Sequence, residues 1–367
     1  MKSPSFFPSR TLAWYVSKLF LIRSFAILAM LVVVLQSLDL LGESGKIVAV
    51  ADNGDAEIWR YIGLRLPQII ETFLPFSILL GTLLTLVTLN QNSEITSMKA
   101  GGMSAHQILA PLVIAALFVA LISFTFNERI VTRATASLNA WQKVDYAAIP
   151  PESGVRSNIW VRNGDSLINA QSVQGRGRDV LLRNVAIYGR EQNRLSVILR
   201  ADTMRLADGG SQWQLTDARR FEVRSGRETK LGAPVVDLDV TPDRFTLASV
   251  DGDELGFNEL RLAIAELDAA GRPTNELKSI LWHKISGPLS AVLMPILGAV
   301  AGFGLARSGQ LFVRAVIGMA LGFAYFVADN FGLAMGSLGA YPPLIAAWGP
   351  FFLFLLIGEL VLIRSEE

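Results

Sequence analysis

Glu94 is the one acidic residue in Asn90-Gln-Asn-Ser-Glu-Ile-Thr-Ser-Met-Lys-Ala-Gly-Gly-Met-Ser104, a polar stretch between two long apolar runs. A carboxylate on a short exposed helix can take charge-assisted hydrogen bonds from a cationic surface. The pair Gly101-Gly102 then supplies a helix stop that turns the chain back. The remaining candidates are polar groups inside apolar runs, where each is expensive and is a candidate for function by default. They are Gln36 and Asp39 in the first run, Arg65 and Glu71 at the start of the second, Lys284 opening the fourth, Arg314 opening the fifth, and Asp329 with Asn330 deep in the fifth. Arg65, Lys284 and Arg314 have a plainer reading as long cationic chains that snorkel to a membrane surface. Asp329 is too short for that, so it is expected to face a partner helix or a wet cavity.

Several other chemistries are disfavoured. Gly42-Glu-Ser-Gly-Lys46 resembles a phosphate loop only in part: that loop needs glycine at position 40 and Ser or Thr at 47, where Leu40 and Ile47 stand. The chain is therefore not expected to bind or hydrolyse ATP itself, nor to hold a cofactor. Its two histidines, His106 and His283, are far apart and read as headgroup-level and interfacial side chains, with no metal-ligand cluster around them. Acids and bases are balanced in the polar middle of the chain, unlike the basic stripe of a nucleic-acid binder.

These residues need a scaffold, and the charge distribution points to one. The chain is 51% hydrophobic with a net charge of +1, and more than half of its charged residues lie between Arg133 and Asn275. Outside that segment are six runs of membrane-spanning length: Ser24–Leu41, Ile69–Leu89, Gln107–Phe126, Ile280–Leu305, Val313–Met335 and Pro343–Ile363. Lys2, Arg10, Lys18 and Arg23 precede the first, Arg307 and Arg314 follow the fourth, and Arg364 follows the sixth. The positive-inside rule then places both termini in the cytoplasm and the polar middle outside. Thr11–Phe20, ahead of the first run and with Trp14 and Tyr15 among bases, reads as an interfacial helix, with ordinary membrane anchoring as its plainer role. The absence of cysteine is compatible with an extracytoplasmic domain, since disulfides there are common but not obligatory.

The polar middle, about 140 residues and large enough for its own core, reads as β. Expected strands are Asn158–Arg162, Ser166–Val173, Val180–Tyr188, Leu195–Leu199, Met204–Leu206, Trp213–Leu215, Phe221–Val223 and Val235–Val240. Asn163-Gly164 and Asp208-Gly209-Gly210 mark turns. An amphipathic helix over Phe257–Ala269 follows, stopped by Gly271 and Pro273. Gly298, Gly302 and Gly304, and the pair Gly318 and Gly322, form small-residue stripes that admit close helix packing, within the chain or with another subunit. The expected fold is an α-helical polytopic membrane protein, three spans on each side of an inserted all-β, jelly-roll-like domain. The expected parts are residues 1–131 (with a coupling helix over 91–104), 132–256 and 257–367.

Phe73-Leu-Pro-Phe-Ser-Ile-Leu-Leu-Gly81, Ser93-Glu94 and Ala100-Gly-Gly-Met-Ser104 resemble the lipopolysaccharide export permeases of the LptF/LptG family. Trp282-His-Lys-Ile285, Pro288-Leu-Ser290, Val313-Arg314, Gly322-Phe-Ala-Tyr-Phe-Val-Ala-Asp329, Tyr341-Pro-Pro343 and Thr241-Pro-Asp-Arg244 are similar to its LptG branch, in that order. The resemblance implies a permease subunit of an ABC-type transporter that lifts lipopolysaccharide from the outer leaflet of a Gram-negative inner membrane towards a periplasmic jelly-roll bridge. It implies an LptF-like partner, an LptB-like ATPase dimer carrying ATP and magnesium, and an LptC-like single-span protein. The loop between the second and third spans would be a coupling helix docked on the ATPase, with Glu94 in the contact and Ser93, Met98, Ala100, Gly101 and Gly102 around it. The lipid site implied by the resemblance falls on Gln36, Asp39, Asn139, Gln142 and Arg314, with Arg129, Arg133 and Lys143 nearby. Lysines of the family pattern are replaced by Gln36, Gly42 and Glu43, which implies a lipid with fewer phosphates or charge supplied by the partner permease. Two rival readings are a membrane-anchored sensor or assembly protein, and a permease of the same architecture for another lipid. A sensor needs no ATPase-docking helix.

Overall fold

The computed structural model describes residues 9–148, 156–164, 166–174, 180–191, 194–207, 212–238, 240, 242, 245, 251–269, 272–302 and 311–364. The chain divides into two compact units, one formed within residues 1–147, 252–265 and 273–367, the other within 148–251 and 266–272.

The first unit is helical. Its elements are α1 (Arg10–Val48), α2 (Asp55–Gln91), α3 (Glu94–Ala100), α4 (Ala105–Phe126), a π-helical turn (Asn127–Val131) and α5 (Thr132–Gln142), then α6 (Phe257–Ala269), whose residues from 266 on group with the second unit, α7 (Asn275–Gly302), α8 (Leu311–Ser337) and α9 (Pro343–Arg364). Six helices are long and apolar enough to cross a membrane: α1, α2, α4 with its continuation to Gln142, α7, α8 and α9.

The interfacial helix expected over Thr11–Phe20 is not a separate element. It is the start of α1, a single helix of 39 residues. The reason lies in its packing. Val16, Phe20, Ser24, Leu28, Val32 and Gln36 form one buried stripe at intervals of one turn, and no Gly or Pro interrupts it. The Gly42–Lys46 stretch falls in the last turns of the same helix, so it has no loop conformation in which to cradle a phosphate.

Glycines set the distances between helices. A Cβ on Gly81 of α2 would lie 2.8 Å from the backbone of Ser24, so α1 rests directly on α2 there. A Cβ on Gly298 would lie 2.9 Å from the Thr82 side chain, and one on Gly302 2.6 Å from that of Leu86. Gly322 of α8 likewise faces Leu79. The small-residue stripe of α7 and Gly322 are thus spent inside the chain, against α2; Gly304 lies outside the described residues.

The second unit is built on an antiparallel sheet of eight strands: β1 (Arg156–Asn163), β2 (Ser166–Gln174), β3 (Leu181–Glu191), β4 (Arg194–Leu206), β5 (Gln212–Thr216), β6 (Ala218–Glu222), β7 (Arg227–Gly232) and β8 (Val235–Asp237). The order is β1-β2-β3-β4-β5-β8, with β6 also on β4 and β7 on β6. Asn163 pairs with Ser166 around Gly164, whose φ of 56° is the left-handed conformation the expected hairpin requires. Ile168, Leu182, Met204, Trp213, Leu215 and Phe245 are fully buried in the core of this unit. The Trp213 ring meets Phe245 edge-on, and its N–H donates to the Val240 carbonyl at 3.0 Å.

Two strands differ from the sequence expectation. Leu195–Leu199 and Met204–Leu206 are the ends of one strand, β4, because the intervening charged residues Arg200 and Asp202 face solvent without breaking the ladder. β7 has no apolar signature, being exposed along its whole length, and was not expected. The expected turn at Asp208–Gly210, Gly271 and most of the Thr241–Arg244 motif lie outside the described residues. The amphipathic helix over Phe257–Ala269 has the expected bounds.

Candidate functional site

α3 is held by its apolar side. Ile95 is 3% exposed, and Met98 and Met103 pack against the helical core. Ser93 enters the helix at φ 59°, an uncommon conformation for serine that turns the chain sharply out of α2. Gly101 caps the other end, and Gly102 at φ 82° reverses the chain, with the Met103 N–H donating to the Met98 carbonyl at 3.1 Å. Ser93, Ala100, Gly101 and Gly102 are exposed. Glu94 accepts from the Tyr15 hydroxyl and from Asn92 Nδ2, both at 3.3 Å and both on Oε1. The second carboxylate oxygen makes no hydrogen bond among the described residues. Sequence reasoning missed Tyr15: its aromatic-and-basic surroundings signalled a membrane border, and only the length of α1 brings it under Glu94. On the adjoining helices, His106 of α4 lies 3.1 Å from Glu359 of α9.

The residues assigned to lipid by resemblance separate into groups. Asp39 is fully engaged: Arg65 Nε and Nη2 donate to one oxygen at 3.2 and 3.1 Å, and the Tyr61 hydroxyl donates to the other at 2.5 Å. Arg65 also donates to Gln68, which donates to Thr135. Arg65 therefore turns inward instead of snorkelling. Asn139 and Lys143 both reach Glu254, at 2.9 and 3.7 Å. Gln142 donates to the Tyr146 hydroxyl, which donates to Glu43 at 2.8 Å. Burial of Tyr146, reinforced by that carboxylate, pushes its phenol above the usual range and keeps it a donor. Gln36 is 8% exposed and neither end of its amide has a partner among the described residues. Arg129 and Arg133 are exposed and make no ion pair among the described residues. Arg314 lies on α8, and its side chain is outside the described set.

The intramembrane polar residues converge on a cavity of about 510 Å³ lined by Arg65, Glu71, Asp253, His283, Lys284 and Asp329, among others. His283 Nε2 is 3.0 Å from Asp329 Oδ2. His283, expected at an interface, is thereby placed as the helix partner that Asp329 requires. Gly287, one turn further along α7, leaves room for the ring: a Cβ there would lie 3.2 Å from His283 Cε1. Glu71 accepts from Asn127 of the π turn. Lys284 and Asp329 are 8% and 9% exposed, and opposite charges lining one cavity lower the cost of burying either. The groups form no Ser/His/Asp-type chain and no metal-ligand cluster among the described residues.

The site thus has two parts, a short helix with a partly exposed carboxylate and a cavity lined by charged side chains of the helical unit. The comparisons with known proteins decide the family. A model of the lipopolysaccharide export system permease LptF/LptG family matches residues 14–364. The chain belongs to that family. The family match covers both membrane halves and the sheet unit between them. The permease LptG of Escherichia coli strain K12 is 26% identical over 316 residues, 83% of this chain and 85% of that protein. LptG of Haemophilus influenzae is 23% identical over 328 residues, 86% of this chain and 88% of its own length. LptF of E. coli K12 is 27% identical over 192 residues, 48% of this chain and 50% of LptF. As an LptF/LptG permease with six candidate spans, the chain is a multi-pass inner-membrane transport subunit and not an enzyme.

Proposed function

We propose that the chain is the LptG-type subunit that, beside an LptF-like partner, lifts lipopolysaccharide out of the inner membrane, driven by a separate LptB-like ATPase dimer. The observation that carries the proposal is α3. It is a short helix anchored by Ile95, ended by two glycines, and presents a carboxylate with one oxygen uncommitted. A cationic groove on an ATPase can bind that oxygen with charge-assisted hydrogen bonds. ATP and magnesium belong to that partner. Ser93, Met98, Ala100, Gly101 and Gly102 set the helix's position.

The contacts of Tyr15 with Glu94 and of His106 with Glu359 gather the start of α1, α3 and the later part of α9 at one end of the bundle. The basic residues before the first span favour a cytoplasmic assignment for this end. The sheet unit then lies in the periplasm, where a jelly-roll-like surface would pass lipid on with an LptC-like protein. Arg129 and Arg133, exposed and unpaired, are the cations best supported as contacts for anionic lipid groups; Asp39, Asn139, Gln142 and Lys143 act one step back, fixing α1, α2 and α5. A lipid poor in phosphate, or charge from the partner permease, agrees with Arg129 and Arg133 being, among the described residues, the exposed cations of the expected lipid set without an ion pair.

Co-expression with the candidate ATPase tests the reading. Native chain should co-purify with the ATPase. Glu94→Ala should either weaken that association about tenfold or leave hydrolysis running without lipid release. Native association, hydrolysis and release in the variant would overturn the coupling role of Glu94.

A further inference from the structure

The strand registers place three cations side by side. Arg200 of β4 is directly opposite Arg219 of β6, and Arg219 is directly opposite Lys230 of β7. Directly opposite residues project from the same face of a sheet. Leu199 and Ala201, the neighbours of Arg200, face the core, so the three cations point away from it. All three are exposed. None makes a hydrogen bond or ion pair among the described residues. Like charges directly opposite on adjacent strands oppose folding, so the sheet's own stability does not account for the row.

The row has a second component. The next positions along the same face are Tyr188, Ile198, Phe221 and, on β7, the exposed acid Glu228, set opposite one another by the β3–β4, β4–β6 and β6–β7 registers. Tyr188 stacks on Trp160, centroids 5.6 Å apart and planes 19° from parallel, and Trp160 is 52% exposed. Flat aromatic surface therefore adjoins unpaired cations on one solvent-facing side.

We infer that this face binds the anionic saccharide portion of lipopolysaccharide, with Arg200, Arg219 and Lys230 meeting phosphate or carboxylate groups and Trp160, Tyr188 and Phe221 meeting sugar rings. The inference rests on the export reading. Its direction across the sheet selects the ligand. Strands are about 4.8 Å apart, so the row spans about 10 Å at right angles to the chain. A partner strand added at the β7 edge would run parallel to β7 and meet Lys230 alone. A compact polyanion lying across the strands meets all three. Guanidinium groups favour phosphate and carboxylate through paired N–H donors, and aromatic side chains supply an apolar platform with little ordering cost.

The test uses the detergent-solubilised full chain and fully deacylated lipopolysaccharide, which keeps the charged saccharide and lacks the acyl chains. Binding is followed by calorimetry at low and moderate salt. The native chain should bind, and affinity should fall steeply with salt. The combined variant Arg200→Gln, Arg219→Gln, Lys230→Gln should lose at least tenfold in affinity. Its thermal midpoint should be unchanged or higher, because the like-charge row is relieved. Binding by the variant within twofold of native would overturn the inference. So would variant-sensitive binding to vesicles of anionic phospholipid with none to the saccharide. Co-purification of the ATPase with the same variant reads the export function separately: its loss from native chain would defeat that reading, while its retention with lost saccharide binding supports this one.

Discussion

Glu94 opens a short helix and Asp329 lies inside a long one, and their surroundings give the two carboxylates different work. Glu94 keeps one oxygen open towards the outside of the bundle and is steadied on the other by Tyr15. Tyr15→Phe should leave α3 formed and, on the proposed coupling role, reduce lipid release about two- to threefold, a loss comparable to one weak hydrogen bond, measured as release per ATP hydrolysed. Asp329 meets His283 through Oδ2, has a buried Oδ1 without a partner among the described residues, and lines a cavity. Asp329→Ala removes the acceptor for His283 and should cost about 1–3 kcal/mol, seen as a lower thermal midpoint in detergent; Asp329→Asn, which retains an acceptor, should cost less. Both residues were legible in the sequence, Asp329 as a charge inside an apolar run and Glu94 as the one acid in a polar stretch between two such runs. Their partners were not. His283 and Tyr15 sit far from Asp329 and Glu94 along the chain, and only helix packing brings each pair together.

At the scale of the element, α1 and β4 show what a local pattern hides. The aromatics and bases near Trp14 suggested a helix lying on the membrane, but an unbroken four-residue stripe makes them the first turns of a span. The charges in β4 suggested a gap, but alternation lets Arg200 and Asp202 face outward while the ladder continues. Spacing alone did yield α6 with its bounds and the stop of α3 at Gly101. Glycine roles were only half legible: stripes in α7 and α8 announced close packing, while the choice of α2 as the neighbour came from tertiary geometry. Gly302→Leu should force Leu86 and α7 apart and cost at least about 1–3 kcal/mol, as overpacked cores do. Gly102→Ala meets open space but a left-handed backbone, so its penalty should be nearer about 1 kcal/mol. The two are separable by chemical denaturation in mild detergent, with α3 docking assayed in parallel.

At the scale of the molecule, each unit has its own core. Trp213→Ala empties the centre of the sheet unit, where the indole is fully buried and hydrogen-bonded. It should destabilise that unit by about 3–5 kcal/mol while ATPase association through α3 stays native. Limited proteolysis of the variant should cut within the sheet and spare the helical fragments. Equal loss of both would mean that the two cores fold as one.

The π turn after α4 carries one more consequence. Both oxygens of Glu128 accept the Phe257 N–H at 2.8 Å, and a Cβ on Gly256 would lie 2.5 Å from that carboxylate. Nearby, Asn139 holds Glu254. The chain therefore departs from the bundle and returns to it at points already tied together, with the closure entropy of the long excursion met by the helical unit itself. The sheet between them behaves as a cassette on a closed clasp. Shortening or exchanging the sheet should leave the helical unit folded, provided that Glu128 and Gly256 stay in place.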